Sequence, residues 1–292
     1  MPPHVCRLAP ADAGLGEDRH YARPVTLTAE SHPLAAEAAS ALLERLGIER
    51  LDSAYVLGSG WASAAAGLGE IIDEIPLAEL PGFSKPVVEG HGGAIRALRT
   101  PSGRVAGLFT GRTHYYEGRG VAPVVHGVRT AAAAGASRLV LTNGCRGLNP
   151  AWGPGTPVLI SDHINLTGTT PLVGPRFIDM TDAYSPALRE LARTIDGDLD
   201  EGVYVQFHGP NYETPAEVRM AGIMGGDLVG MSTALETIAA REAGIEVLGI
   251  SLVTNAAAGM TGEALNHEEV IEAGRDAQHR LRTLLAGLLE VL

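Results

Sequence analysis

The chain reads as an α/β protein, a single-domain mixed β-sheet flanked by helices, and three features of the sequence predict this. Short apolar runs closed by turn residues recur along the chain, and segments with helical apolar spacing separate several of them. From His32 onward, no Pro/Gly linker, charge run or internal repeat splits the alternation, which suits a sheet covered on both faces. Residues 1–31 are rich in Pro, Gly and Ala without periodicity and are expected to be a tail or arm; residues 32–292 are expected to form the domain.

From the start of that domain, PLAAEAASALLERLG (33–47) spaces its apolar residues by three and four and ends on Gly47, a helix with its stop signal. Strands are expected at 53–60, 104–112, 138–144, 157–163, 201–209, 227–232 and 247–255, all apolar enough to be buried on both faces. Helices are expected at 124–136, 185–195, 214–226 and 233–244, with one long terminal helix over 267–292. Two of these helices begin with a capping box, Thr214-Pro215-Ala216-Glu217 and Thr233-Ala234-Leu235-Glu236. Glu213 and Ser232 therefore each precede a helix N-terminus, where unpaired N–H groups favour a carboxylate or a bound phosphate.

Composition narrows the function. Apolar residues make up 45% and charged residues 19%, ordinary globular usage, and no apolar run reaches the roughly 20 residues of a membrane span. The N-terminus lacks the hydrophobic stretch of a signal peptide, so a cytoplasmic location is expected. Cys6 and Cys145 are the only cysteines, too few for a disulfide scaffold or a cysteine-based zinc site, and free thiols fit a reducing compartment. The formal charge is −12 and the basic residues are scattered, so neither nucleic acid nor an anionic membrane is expected as a partner. An anionic small substrate would need a local site of backbone N–H groups, hydroxyls and a few placed Arg or His side chains.

Four segments carry candidate chemistry. In LGSGW (57–61), glycines flanking Ser59 allow a tight turn that aims N–H groups and a hydroxyl at an anion, although Gly-Ser-Gly is also an ordinary turn. In GRTHYYEGRG (111–120), a continued extended conformation would put Arg112, His114 and Tyr116 on one face; a solvated surface loop is the plain alternative. QFHGPNYETPAEVR (206–219) puts Tyr212 and Glu213 at a strand-to-helix crossing, where a ring can cover a flat base and a carboxylate can accept from ring N–H groups, or the two can simply pack and favour the helix dipole. SLVTNAAAG (251–259) ends a strand on Thr254 and Asn255, and an Asn there can donate to and accept from a heterocycle or merely start a turn. His267 follows at the start of the last helix, with Asn266 as its expected cap; an ordinary exposed His is the simplest reading there.

Taken together, LGSGW, EGHGG, GRTHYYEG, LTNGCRGLNP, ISDHINLTG, RFIDMTDAYS, GPNYETPAE, GDLVGMSTALE, SLVTNAAAG and NHEEVIEAG resemble, in that order, the trimeric purine nucleoside phosphorylases, whose family includes methylthioadenosine phosphorylase. The resemblance covers about residues 32–292. It implies phosphate-dependent cleavage of 6-oxopurine nucleosides such as inosine and guanosine, with inorganic phosphate as co-substrate, no cofactor and no metal. It places phosphate against Ser59, His91, Arg112, His114, the Gly144 backbone and Ser232. The purine falls near Tyr212, Glu213, Val229 and Asn255, and the ribose near Tyr116, Tyr204, Met231 and His267. Asn255, His114 and Glu213 are the expected catalytic residues, in a homotrimer whose pockets each receive Phe177 from a neighbour.

The chain also departs from the family pattern. Gly144 stands where Ala is common, Tyr212 replaces the more familiar Phe, and Arg146 stands where a second Gly is expected. Arg146 then either carries the cost of a positive φ or adds a cation near phosphate. Methylthioadenosine phosphorylase is the close alternative, with Asn255 and His267 against it, because an adenine edge suits an acid side chain and a methylthio group an apolar one. A nonenzymatic nucleoside-binding protein and a water-using nucleosidase are the readings from other classes.

Overall fold

Strand β1 (Ser53–Val56) is buried at every position, so it needs cover on both faces, and the sheet grows outward from it. A computed structural model of the chain describes residues 32–84, 93–100, 102–256 and 268–292. The other strands are β2 (Glu70–Pro76), β3 (Ala94–Arg99), β4 (Val105–Phe109), β5 (Arg138–Gly147), β6 (Pro157–Asn165), β7 (Asp200–Gln206), β8 (Leu228–Gly230) and β9 (Glu246–Ala256). Their order is β2-β3-β4-β1-β5-β8-β7-β6-β9, and β9 pairs with β5 as well as with β6. The last five strands thus close on one another. β1 runs parallel to β4 and β5, and β5 parallel to β9, while β2, β3 and β8 supply antiparallel pairings. The sheet is mixed, as the sequence predicts.

The helices are α1 (Pro33–Leu46), α2 (Val121–Ala133), α3 (Pro186–Ile195), α4 (Pro215–Ile223), α5 (Ala234–Glu242), α6 (Glu268–Asp276) and α7 (Gln278–Val291). Side chains alternate across the strands, so Leu139, Leu141 and Val247 join one apolar cluster with Leu42 of α1, Val125 of α2 and Leu235 of α5. Val140, Leu248 and Ile250 face the other way and pack with Leu188 of α3 and with Leu281 and Leu285 of α7. Two covered faces result.

Two expectations are corrected. Strands β2 and β3 were not predicted: β2 is an edge strand, largely exposed and acidic, with a register shift between Ile71 and Asp73, and it never shows an apolar run. The single terminal helix divides at Ala277 into α6 and α7. Ala277 N–H still donates to Ala273 O at 3.0 Å and Leu281 N–H to Ala277 O at 3.0 Å, so the division is a local bend within one hydrogen-bonded run.

Candidate active site

The carboxyl ends of β4, β1, β5 and β9 lie side by side, the position where open α/β sheets bind ligands. Gly58, just past β1, permits their close approach: a Cβ there would stand 2.4 Å from Thr142 O and 2.8 Å from Arg112 Nη1. Its N–H donates to Thr142 Oγ1 at 3.0 Å, and that hydroxyl lies 3.0 Å from Val56 O, joining β1 to β5. Arg112, beyond β4, donates from Nη1 to Thr142 O at 2.6 Å and from Nε to Glu236 Oε1 at 3.1 Å, with side chains 3% and 2% exposed. Its Nη2 is buried with no hydrogen-bond partner among the described residues. A cationic donor buried and unmet in this way calls for an anion.

Ser232 Oγ lies 3.4 Å from Arg112 Nη1, in a tight turn where Ala234 N–H donates to Ser232 O at 3.0 Å. The central residue of that turn, Thr233, has φ 81° and ψ −52°, the only positive φ outside glycine among the described residues. Such a γ-like turn in a β-branched residue costs about 1–3 kcal/mol and persists only where neighbours hold it. Here Glu236 Oε2 accepts from Thr233 N–H at 2.9 Å, Asn143 Nδ2 donates to Thr233 Oγ1 at 2.9 Å, and Tyr204 Oη accepts from Ser232 N–H at 3.3 Å. Ser251 Oγ in turn donates to Asn143 Oδ1 at 2.9 Å.

The cleft that opens here, with an empty volume of about 840 Å³ continuous with solvent, is lined by Ser59, Arg112, His114, Tyr116, Gly144, Arg146, Tyr212, Met231 and Ser232. His114 and Tyr116 do not reach it on a continuing strand, because Tyr115–Glu117 is a 3₁₀ turn. Glu117 Oε1 accepts from His114 N–H at 2.7 Å, and the two rings stack at 4.7 Å, so the turn aims both at the cleft. Burial, and then the charge of Glu117, pushes the Tyr116 phenol above its ordinary pKa, which keeps it a hydroxyl donor.

One expectation for Arg146 is corrected. It lies within β5, outside the left-handed region, and so carries no positive-φ cost. Its charge is paired: its Nε donates to Glu213 Oε2 at 3.0 Å and its Nη2 to Glu213 Oε1 and Oε2 at 2.9 and 2.7 Å. Its guanidinium lies 4.6 Å from the centre of the Tyr212 ring. The Glu213 carboxylate, expected to face a base, is only 1% exposed beneath this pair. Val229 and Tyr204 lie below the cleft surface, Val229 in a cluster with Val205, Val218 and Ala221, and Tyr204 as the support of the Ser232 amide. Thr254 Oγ1 is 2.7 Å from Asn255 Oδ1 at the end of β9, Phe177 is 96% exposed, and His91 and His267 lie outside the described residues. Among the described residues no cluster of three or more His, Cys, Asp or Glu could hold a metal.

The sequence signature of the Phosphorylase superfamily matches residues 53–290. A purine nucleoside phosphorylase of Cellulomonas sp is 60% identical over 259 residues, 87% of this chain and 92% of that protein. The chain belongs to the purine nucleoside phosphorylase family. Another member, from Mycobacterium tuberculosis, is 55% identical over 88% of this chain and 95% of its own length. A crystal structure of the Schistosoma mansoni purine nucleoside phosphorylase in complex with inosine superimposes with a TM-score of 0.81 at 32% identity, over 89% of this chain and 97% of that one. Membership in this enzyme family makes the cleft a candidate active site with a transferase chemistry to perform.

Sequence reasoning about this phosphorylase family member missed Glu236, Thr142 and Asn143. Glu236 was visible as the last residue of a capping box, a signal that accounts for its bond to Thr233 N–H and says nothing about Arg112, 124 positions away. Thr142 and Asn143 read as the end of a buried strand, and only the pairing of β5 with β1 and β9 brings them against Gly58 and Thr233.

Glu236→Gln tests this arrangement. Its amide can accept from only one of its two donors, turns an NH₂ group on the other and leaves the buried Arg112 charge unpaired, so about 3–5 kcal/mol of stability should be lost. Phosphate KM should rise about tenfold or more while nucleoside KM stays within about threefold. Steady-state kinetics with each substrate varied in turn checks this, and an unchanged phosphate KM would remove Glu236 from the anion site.

Proposed function

We propose that this chain cleaves 6-oxopurine ribonucleosides and deoxyribonucleosides, inosine and guanosine among them, with inorganic phosphate, giving free base and (deoxy)ribose 1-phosphate. The observation that carries this is the Arg112 guanidinium, its Nη1 3.4 Å from Ser232 Oγ and its Nη2 buried and unpartnered among the described residues, in one cleft with His114, Tyr116 and Tyr212. An anion donor set and a flat aromatic wall then share one space. Family membership points to the same chemistry.

In this reading phosphate sits against Arg112, His114, Ser59, Ser232 and the Gly144 backbone, and the ribose lies along Tyr116 and Met231. One phosphate oxygen attacks C1′ as the C1′–N9 bond breaks, and the bonding pair leaves on the purine, so the sugar passes through a state with oxocarbenium character. No electrons change hands overall, so the reaction calls for no redox cofactor. Most of the rate then comes from holding the nucleophile in line and meeting charge at each end. Asn255 is assigned to the N7/O6 edge of the leaving base, where its amide N–H stabilises the negative charge that develops.

We also place the reaction in the cytoplasm and assign a homotrimer. No helix among the described residues is long and apolar enough to cross a membrane, and Cys145 is a buried free thiol. Phe177, 96% exposed, and Val173, 80% exposed, are large apolar groups in one loop that a neighbouring copy would cover. Sedimentation at assay concentration should give three chains per particle, and a fully active monomer would sink the shared pocket.

Inosine incubated with and without phosphate tests the activity directly. Hypoxanthine should appear only with phosphate present, whereas release without it would mark a hydrolase and no release a binding protein. In Arg112→Ala the phosphate KM should rise far more than the nucleoside KM, because the purine contacts are untouched.

Asn255 should set the choice at the 6-position. The Asn amide N–H groups match the N7 and O6 acceptors of inosine and guanosine, whereas the 6-amino group of adenosine turns a donor on a donor, at about 1–3 kcal/mol. Wild type should therefore prefer inosine strongly, and Asn255→Asp should gain on adenosine relative to inosine while losing most inosine cleavage. Measuring kcat/KM for both nucleosides in both proteins decides it, and an unchanged ratio would move the base pocket away from Asn255.

A further inference from the structure

Arg146 does something that the phosphorolysis reading does not use. It stands next to last in β5, in register with Val229 of β8 on one side and Asn255 of β9 on the other. Its fork closes on both oxygens of Glu213, and the partners' side chains are 9% and 1% exposed. The carboxylate is thus sealed, and a base cannot reach it while the pair stands. The third nitrogen differs. Nη1 makes no hydrogen bond to any described residue, and Arg146 lines the cleft. The guanidinium also lies 4.6 Å from the centre of the Tyr212 ring, so ring, cation and carboxylate form one assembly at the base end of the cleft.

We propose that Arg146 is a specificity-determining residue of the base pocket: it withdraws Glu213 from direct contact with the base and presents Nη1 as a cationic donor, so the pocket selects oxo groups where a bare carboxylate would select N–H groups. This rests on the phosphorolysis reading above. A bare carboxylate would accept from N1–H and from a 2-amino group, and so would favour guanosine. A guanidinium offers only donors, and a 2-amino group facing it is a donor turned on a donor. A base with a carbonyl at the 2-position gives it an acceptor instead. Among 6-oxopurine nucleosides the order of preference is therefore the 2-oxo compound xanthosine first, inosine with its bare C2 next, and guanosine last. Glu213 becomes a positioning residue that holds the guanidinium beside the Tyr212 ring.

The test compares xanthosine, inosine and guanosine at saturating phosphate in wild type, in Arg146→Gly and in the double variant Arg146→Met/Glu213→Gln. The double variant removes both buried charges at similar volume, so it guards against a single variant that fails to fold. Wild type should cleave xanthosine about tenfold or more better than guanosine in kcat/KM. In Arg146→Gly that ratio should fall about tenfold or more, chiefly through a lower guanosine KM, while phosphate KM moves less than about threefold. The double variant should lose the xanthosine preference without gaining guanosine, because neither a cation nor a carboxylate remains.

Calorimetric titration of wild type with xanthine and with guanine, in the presence of phosphate, separates this inference from the reaction itself. Tighter xanthine binding supports it even if no nucleoside is cleaved, an outcome that would overturn the phosphorolysis reading alone. Guanosine and guanine preferred by wild type, or a xanthosine-to-guanosine ratio unmoved in both variants, would overturn it.

Discussion

The buried ion pair between Arg112 and Glu236 holds the rest of the site in place. With side chains 3% and 2% exposed, neither charge could stay there alone, since an unpaired buried ion costs several kcal/mol. The pair spans three elements: Arg112 follows β4, its Nη1 is bound to Thr142 O of β5, and Glu236 opens α5. The same carboxylate accepts from Thr233 N–H, so the bond that neutralises the arginine also pins the strained turn carrying Ser232. Loss of either partner would therefore release a charge and a backbone conformation together.

This coupling also explains how a chain of formal charge −12 can offer an anion site. Arg112 and Glu236 sum to zero, so net charge is not what attracts phosphate here. Direction is. The carboxylate takes Nε, the Thr142 carbonyl takes Nη1, which also lies 3.4 Å from the Ser232 hydroxyl, and Nη2 is left unpartnered among the described residues. Solution ions screen the distant acidic surface over about 8 Å, whereas donors within hydrogen-bond range act in a poorly hydrated pocket.

What the sequence made legible follows from how local each signal is. Strands such as β1 and β5 show as apolar runs because both of their faces are covered, whereas exposed β2, with charges along its length, carries no such signature. Ser59, Arg112, His114, Tyr116, Tyr212 and Ser232 were found next to strand or helix ends and Met231 through the family resemblance, and the structure brings them to one cleft. The geometric reason given for His114 and Tyr116 was wrong, because a 3₁₀ turn and not a continued strand delivers them. Tyr204 was expected to touch ribose, but burial of its whole ring leaves its hydroxyl to the Ser232 amide. Contacts between residues 67 to 124 positions apart, such as Arg146 with Glu213 and Arg112 with Glu236, depend on strand register, which no single window of sequence contains.

The two ends of the cleft now stand as variants of one device. Each has an arginine forked or hooked onto a nearly sealed glutamate, Arg112 on Glu236 and Arg146 on Glu213, and each glutamate stands at or just before a helix N-terminus. The difference lies in which nitrogen is spare. At the phosphate end the spare nitrogen is buried and unpartnered among the described residues, so its charge acts on an anion in the cleft through the guanidinium as a whole. At the base end the spare nitrogen belongs to a side chain that lines the cleft, where a carbonyl oxygen can take the place of water at little cost. Tyr212, 38% exposed, flanks the second arginine and shields the pair on one side while leaving the cleft side open. An arginine in this place is compatible with the fold because it stays in extended strand and finds its counter-charge within the pocket. The consequence is confined to what the pocket offers a base: donors where the bare carboxylate would have offered acceptors.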